Sequence, residues 1–110
     1  MVPERRPLAV SVTTPDAETA LRIARTLVQE GLAACGQVLP GLTSVYRWEG
    51  RIHEEGEMLL FLKTFEDRFE ELCARVVALH PYEVPQVTAV PLTAVHGPYL
   101  VWMDEGVPAP

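Results

Sequence analysis

Positive charge is scarce in this chain. Nine Lys and Arg stand against fifteen Asp and Glu among 110 residues, a formal net charge of −6. Binding to phosphate backbones needs clustered Lys and Arg, so the balance argues against a nucleic-acid partner and against docking on an anionic membrane. Cysteine is nearly absent too. Cys35 and Cys73 form neither a close pair nor a zinc spacing, and they read as two buried thiols in a reducing compartment. No apolar run reaches membrane-spanning length, and no apolar stretch of signal-peptide type follows the first charges. The expected compartment is therefore the cytoplasm, with no membrane partner. A nucleophile elbow, a phosphate loop and a zinc-protease helix are all missing, so the expectation is a protein that is not an enzyme.

What is present is the patterning of one globular domain over residues 1–110, with flexible ends expected at 1–7 and 105–110. Leu8, Val10 and Val12 alternate along a strand predicted over Leu8 to Thr14. A helix follows from about Asp16 to Glu30. Thr14 is the candidate cap, Pro15 suits the first helical position, and Ala20, Ile23, Ala24, Leu27 and Val28 share one face. Gly31 supplies the left-handed end. Leu32 to Leu39 and Leu42 to Trp48 read as one strand, bulged or bent at Pro40-Gly41. Glu49-Gly50 makes a tight turn, and Arg51 to Lys63 returns as a third strand that Gly56 could kink. A second helix is predicted to start at Thr64, with Asp67 completing a capping box. Its stripe is Phe65, Phe69, Leu72, Cys73, Val76 and Val77, and Pro81 stops it. A fourth strand is placed at Gln86 to Thr93 and a short terminal element at Pro98 to Asp104.

The order β-α-β-β-α-β predicts an α+β fold, a ferredoxin-like sandwich in which an antiparallel sheet carries two helices on one face. Its central hairpin is too long for its own domain. Each arm approaches about 14 residues, roughly 45 Å, whereas a helix of about 15 residues spans only about 22 Å. The tip therefore projects, exposing strand edges and the side chains of Val45, Tyr46, Trp48 and Ile52. Pairing with other copies under closed symmetry would cover them. The alternative is a hairpin folded back at Pro40-Gly41 and Gly56.

Thr13-Thr14-Pro15-Asp16, Gly31-Leu32-Ala33-Ala34-Cys35 and the run from Pro40 to Gly50 resemble the CutA divalent-cation-tolerance family. Leu62-Lys63-Thr64, His80-Pro81-Tyr82-Glu83-Val84-Pro85 and Tyr99-Leu100-Val101-Trp102 extend the resemblance, in the family's order, across most of the chain. The resemblance implies a homotrimer whose hairpins pair between subunits, a response to metal ions, and copper or another divalent cation as a ligand. No cofactor is required. The fold also resembles the PII signalling proteins, which suggests as alternatives a small ligand between subunits or a ligand-free scaffold. The family's copper pattern has a cysteine at the end of the first strand and a histidine pair before Pro-Tyr. Val12 and Leu79 occupy two of those positions here, which leaves His80 as the candidate metal ligand and Cys35 as a second. Trp48, Glu57, Lys63, Tyr82 and Glu83 form the candidate ligand cleft, because residues of these motifs gather between subunits in the family. Tyr82-Glu83 is held between Pro81 and Pro85, and Lys63, at the end of an apolar strand, calls for a carboxylate partner.

Overall fold

The computed structural model describes residues 4–110. Four strands form one antiparallel sheet in the order β2-β3-β1-β4: β1 (Pro7–Thr14), β2 (Cys35–Trp48), β3 (Arg51–Phe65) and β4 (Val87–Pro91). Two helices, α1 (Ala17–Gln29) and α2 (Phe69–Leu79), pack on one face, and a third, α3 (Gly97–Gly106), closes the chain. The ferredoxin-like expectation holds, and the terminal element is a helix.

Alternation along β1 places Val10 and Val12 in the core, opposite Leu62 and Leu60 of β3. Ile23 and Leu27 of α1 and Leu72 and Val76 of α2 close over them with no exposure. Gly36 permits the approach of α1, because a Cβ there would sit 2.7 Å from the Cβ of Ala24. A second cluster, Phe65, Leu100, Met103 and Val107, holds α3 to the end of the sheet.

Several local expectations are corrected. The cap of α1 is Asp16, not Thr14: its Oδ1 accepts from the Thr19 N–H at 2.8 Å, while the Thr14 hydroxyl donates to the Asp16 carbonyl. The helix closes as expected at Gly31 (φ +70), where the N–H groups of Gly31 and Leu32 reach the carbonyls of Val28 and Leu27. Val28 lies off the buried face, at 42% exposure. Thr64 is not a cap. It stays in β3, buried, and donates to the Leu32 carbonyl at 2.7 Å. The chain then makes a turn of 3-10 helix (Glu66–Arg68) before α2 begins without a side-chain cap. Phe65 belongs to the second core cluster, and Val77 is exposed.

Residues 1–3 of the expected flexible end lie outside the described residues. Arg5, however, is clamped. Its guanidinium donates to both Asp67 oxygens at 2.8 and 2.7 Å and to Asp104 at 3.0 Å, with Phe65 under it at 4.1 Å. At the other end Val107 is fully buried, and the Pro108 carbonyl accepts from Arg68, so the segment through Pro108 is packed rather than loose.

The long hairpin is present and straight enough to project. The register shifts once, between Leu39 and Leu42, where Gly41 takes φ +91. Glu49 and Gly50 form a two-residue turn with both φ values positive, as a twisted hairpin prefers. No shift occurs at Gly56, which pairs with Thr43. The fold-back alternative is thereby excluded, and the molecule measures 50 × 25 × 22 Å. β1 reaches β3 only as far as Met58, so Arg51 to Glu57 pairs with β2 alone. Val45, Trp48 and Ile52 on this arm are exposed.

Candidate functional site

The loop after α2 ends at the base of the projecting arm, and a short chain of hydrogen bonds fixes it there. His80 caps α2 and is buried. Its Nδ1 accepts from the Tyr82 N–H at 3.1 Å, so the proton sits on Nε2, which donates to the Thr13 carbonyl at 2.7 Å. The Tyr82 ring packs on His80 with centroids 4.7 Å apart. Its hydroxyl donates to Oε2 of Glu57 at 2.7 Å. The end of β1, the α2 loop and the base of β3 are thus joined through Thr13, His80, Tyr82 and Glu57. Burial, then the hydrogen bond to Glu57 and its charge, push the Tyr82 hydroxyl well above its ordinary range, so it remains a donor at any physiological pH.

This arrangement lines a cavity of about 470 Å³ with Thr13, Tyr46, Trp48, Glu57, Tyr82 and Glu83. Val45 and Val84 give it apolar wall, and Ser44 and Gln86 add polar edge. Glu57 is 6% exposed. Tyr46 stacks on His53 at 5.3 Å, and its hydroxyl is raised by burial first and then by Glu55.

Four of the five expected cleft residues, Trp48, Glu57, Tyr82 and Glu83, come together. Lys63 does not. It lies at the far end of β3, opposite Cys35, and donates to Oε1 of Gln37 at 3.3 Å instead of to a carboxylate. Tyr46 is not among the expected residues, although its signal is present: Ser44, Tyr46 and Trp48 recur with period two on one face of β2.

His80 has both ring nitrogens engaged by the chain's own backbone, which leaves no lone pair for a metal in this arrangement. Cys35 is half-buried, with Sγ 3.5 Å from the Tyr99 hydroxyl, and that contact with the thiol, together with burial, raises the Tyr99 hydroxyl. The two cysteines are free. Among the described residues, no three His, Cys, Asp or Glu side chains gather as a metal site, and no helix is long and apolar enough to cross a membrane.

Residues 8–106 match the family described as CutA1 divalent ion tolerance protein. A divalent-cation tolerance protein CutA of Thermus thermophilus is 48% identical over 96 residues, covering 87% of this chain and 93% of that protein. A chloroplastic CutA protein of Arabidopsis thaliana is 43% identical over 96 residues, but the chain spans only 53% of its length. Among solved structures, a divalent cation tolerance protein of Thermus thermophilus superposes with a TM-score of 0.89 at 46% identity, covering 92% of this chain and 98% of that one.

Proposed function

The chain belongs to the CutA1 divalent ion tolerance protein family, and on that premise we propose that it serves divalent-cation tolerance as a cytoplasmic, non-catalytic homotrimer that holds a small ligand in the cleft of Trp48, Glu57, Tyr82 and Glu83. The observation that carries the ligand is Glu57, a buried carboxylate on the wall of a 470 Å³ cavity, with the Tyr82 hydroxyl as its one hydrogen-bond partner among the described residues. Cavities of this size with apolar walls and a few convergent polar groups are the usual form of small-molecule sites. The projecting hairpin supports assembly, since its edges and the exposed Val45 and Ile52 need cover. The free cysteines agree with a reducing compartment.

In this reading the protein acts as a sensor, like the PII proteins that its fold resembles, and its link to metal tolerance runs through the ligand. The competing reading places copper or another divalent cation directly on His80. That requires His80 to give up its bond to Thr13 or to Tyr82. Equilibrium dialysis of the metal-free protein against copper and zinc, beside titration with a panel of nucleotides and amines, separates the two. Binding of an organic ligand without metal, lost in Trp48→Ala, is the expected result. Micromolar copper binding abolished by His80→Ala, with no organic ligand bound, would sink it.

A further inference from the structure

Resting on the homotrimer proposed above, we propose that each cleft is completed by a neighbouring copy, whose hairpin tip lays the guanidinium of Arg51 against Glu57 and Glu83. A single protomer leaves both ends of this contact unpaired. At the base of the arm, Glu57 is 6% exposed and its Oε2 accepts from the Tyr82 hydroxyl. Among the described residues of one chain, neither Glu57 nor Glu83 forms an ion pair, and both line the same cavity. A second copy covering this arm removes more water from both carboxylates. Such burial is costly unless the cover itself brings a positive charge.

The choice of Arg51 comes from elimination and from register. Of the nine Lys and Arg, Arg5, Arg6, Arg68 and Arg75 form ion pairs within the protomer. Arg22 donates to the Leu79 carbonyl and Lys63 to Gln37. Among the described residues that leaves Arg25, Arg47 and Arg51. Arg25 belongs to α1, which covers the sheet face of Leu60 and Leu62, whereas Glu57 falls on the opposite face by period two. Arg47 and Arg51 flank the Glu49-Gly50 turn, but alternation separates them. Arg47 pairs with Ile52 on the other face of the arm. Arg51 shares its face of β3 with Glu55 and Glu57, and its β2 partner Trp48 lines the cleft. One face of the arm thus runs from a positive tip to a negative base, six residues or about 20 Å away. Charges so placed match when the tip of one arm lies on the base of the next. That contact is head-to-tail, the kind that closes into a ring when the rotation permits. The ligand cleft then exists complete only in the assembly, with a guanidinium beside its carboxylates.

Crosslinking of the full-length protein in a Cys35→Ser, Cys73→Ser background tests this. The reagent is a bis-maleimide shorter than the roughly 20 Å between tip and base of one arm, so it cannot join them within a chain. Arg51→Cys combined with Glu83→Cys is expected to give covalent dimers and trimers on a denaturing gel. Arg47→Cys combined with Glu83→Cys should give at least tenfold less. A second measurement uses exposed charge changes that keep the fold. In urea just below unfolding, Arg51→Glu should raise at least tenfold the protein concentration at which copies separate, and adding Glu83→Arg should recover most of that loss. Separation unchanged by Arg51→Glu would overturn the inference. So would crosslinking by Lys63→Cys with Glu83→Cys and none by the Arg51 pair, which would assign the cation to Lys63 while leaving the homotrimer and its cleft standing. A single chain at every concentration would overturn the homotrimer as well.

Discussion

The two halves of β3 live in different surroundings. From Leu59 to Lys63 the strand has neighbours on both edges, β1 continues along it to Phe65, and Leu60, Leu62, Thr64 and Phe65 are fully buried. From Arg51 to Glu57 it has β2 alone, and every residue before Glu57 is exposed or half-exposed. One backbone conformation thus serves two purposes. The inner half builds the core of the protomer. The outer half leaves an open edge and apolar side chains that the protomer cannot cover, and an isolated two-stranded ribbon is marginal in water. The cleft sits at the junction, where Glu57 is the first buried residue at the base of the arm.

Truncating one side chain in each half tests this contrast. Leu60→Ala empties a fully buried site and should cost about 2–5 kcal/mol, read as a fall in melting temperature at every protein concentration. Ile52→Ser, at a position 59% exposed in the protomer, should change the protomer by no more than about 0.5 kcal/mol while raising the concentration at which copies separate. Equal effects on melting at all dilutions would erase the distinction.

Gly36→Val probes the inner half from its other side. The new Cβ meets Ala24 at 2.7 Å, and overpacking of this kind should cost about 1–3 kcal/mol, measured by urea unfolding. At the end of β3, Asp67 is held below the ordinary aspartate value of 3.8 by its hydrogen bonds from Arg5. A depressed folded-state pKa contributes stability that is present above the unfolded value and lost as pH falls through the folded one. Because the Asp67 carboxylate is partly exposed and screened by solvent, Asp67→Asn should lose no more than about 1 kcal/mol at pH 7 and show a flatter decline below about pH 4 than the parent. An unchanged acid limb would show that the clamp adds nothing to stability. The most local effect is expected at the tip, where Gly50→Ala places a side chain at φ +78 and should cost roughly 1 kcal/mol, confined to hydrogen exchange of the turn amides.

Much of this is legible in the residues, and the failures have physical causes. Period-two and helical patterns locate every main element, and Pro40-Gly41 and Glu49-Gly50 mark the bulge and the turn because Gly41 and Gly50 take positive φ values that few other residues tolerate. The caps are not legible. Thr14 and Asp16 are both capping types two residues apart, and only the path of the chain decides which one meets the free N–H groups. Thr64 fails as a cap because the Leu32 carbonyl, distant in sequence, claims its hydroxyl. Arg5 escapes a local reading for the same reason: its partners lie 62 and 99 residues away. In the cleft, the Pro-Tyr-Glu loop and Trp48 are readable from the family motifs. Lys63 shares those motifs, but six residues along one strand separate it from Glu57 by about 20 Å.

Everything turns on the outer half of β3 being stable only when several copies cover it. Sedimentation at nanomolar concentration, with fluorescence detection, measures this directly. The expected species is folded and has three times the 12.2 kDa chain mass. A compact, fully folded single chain at that dilution would contradict it.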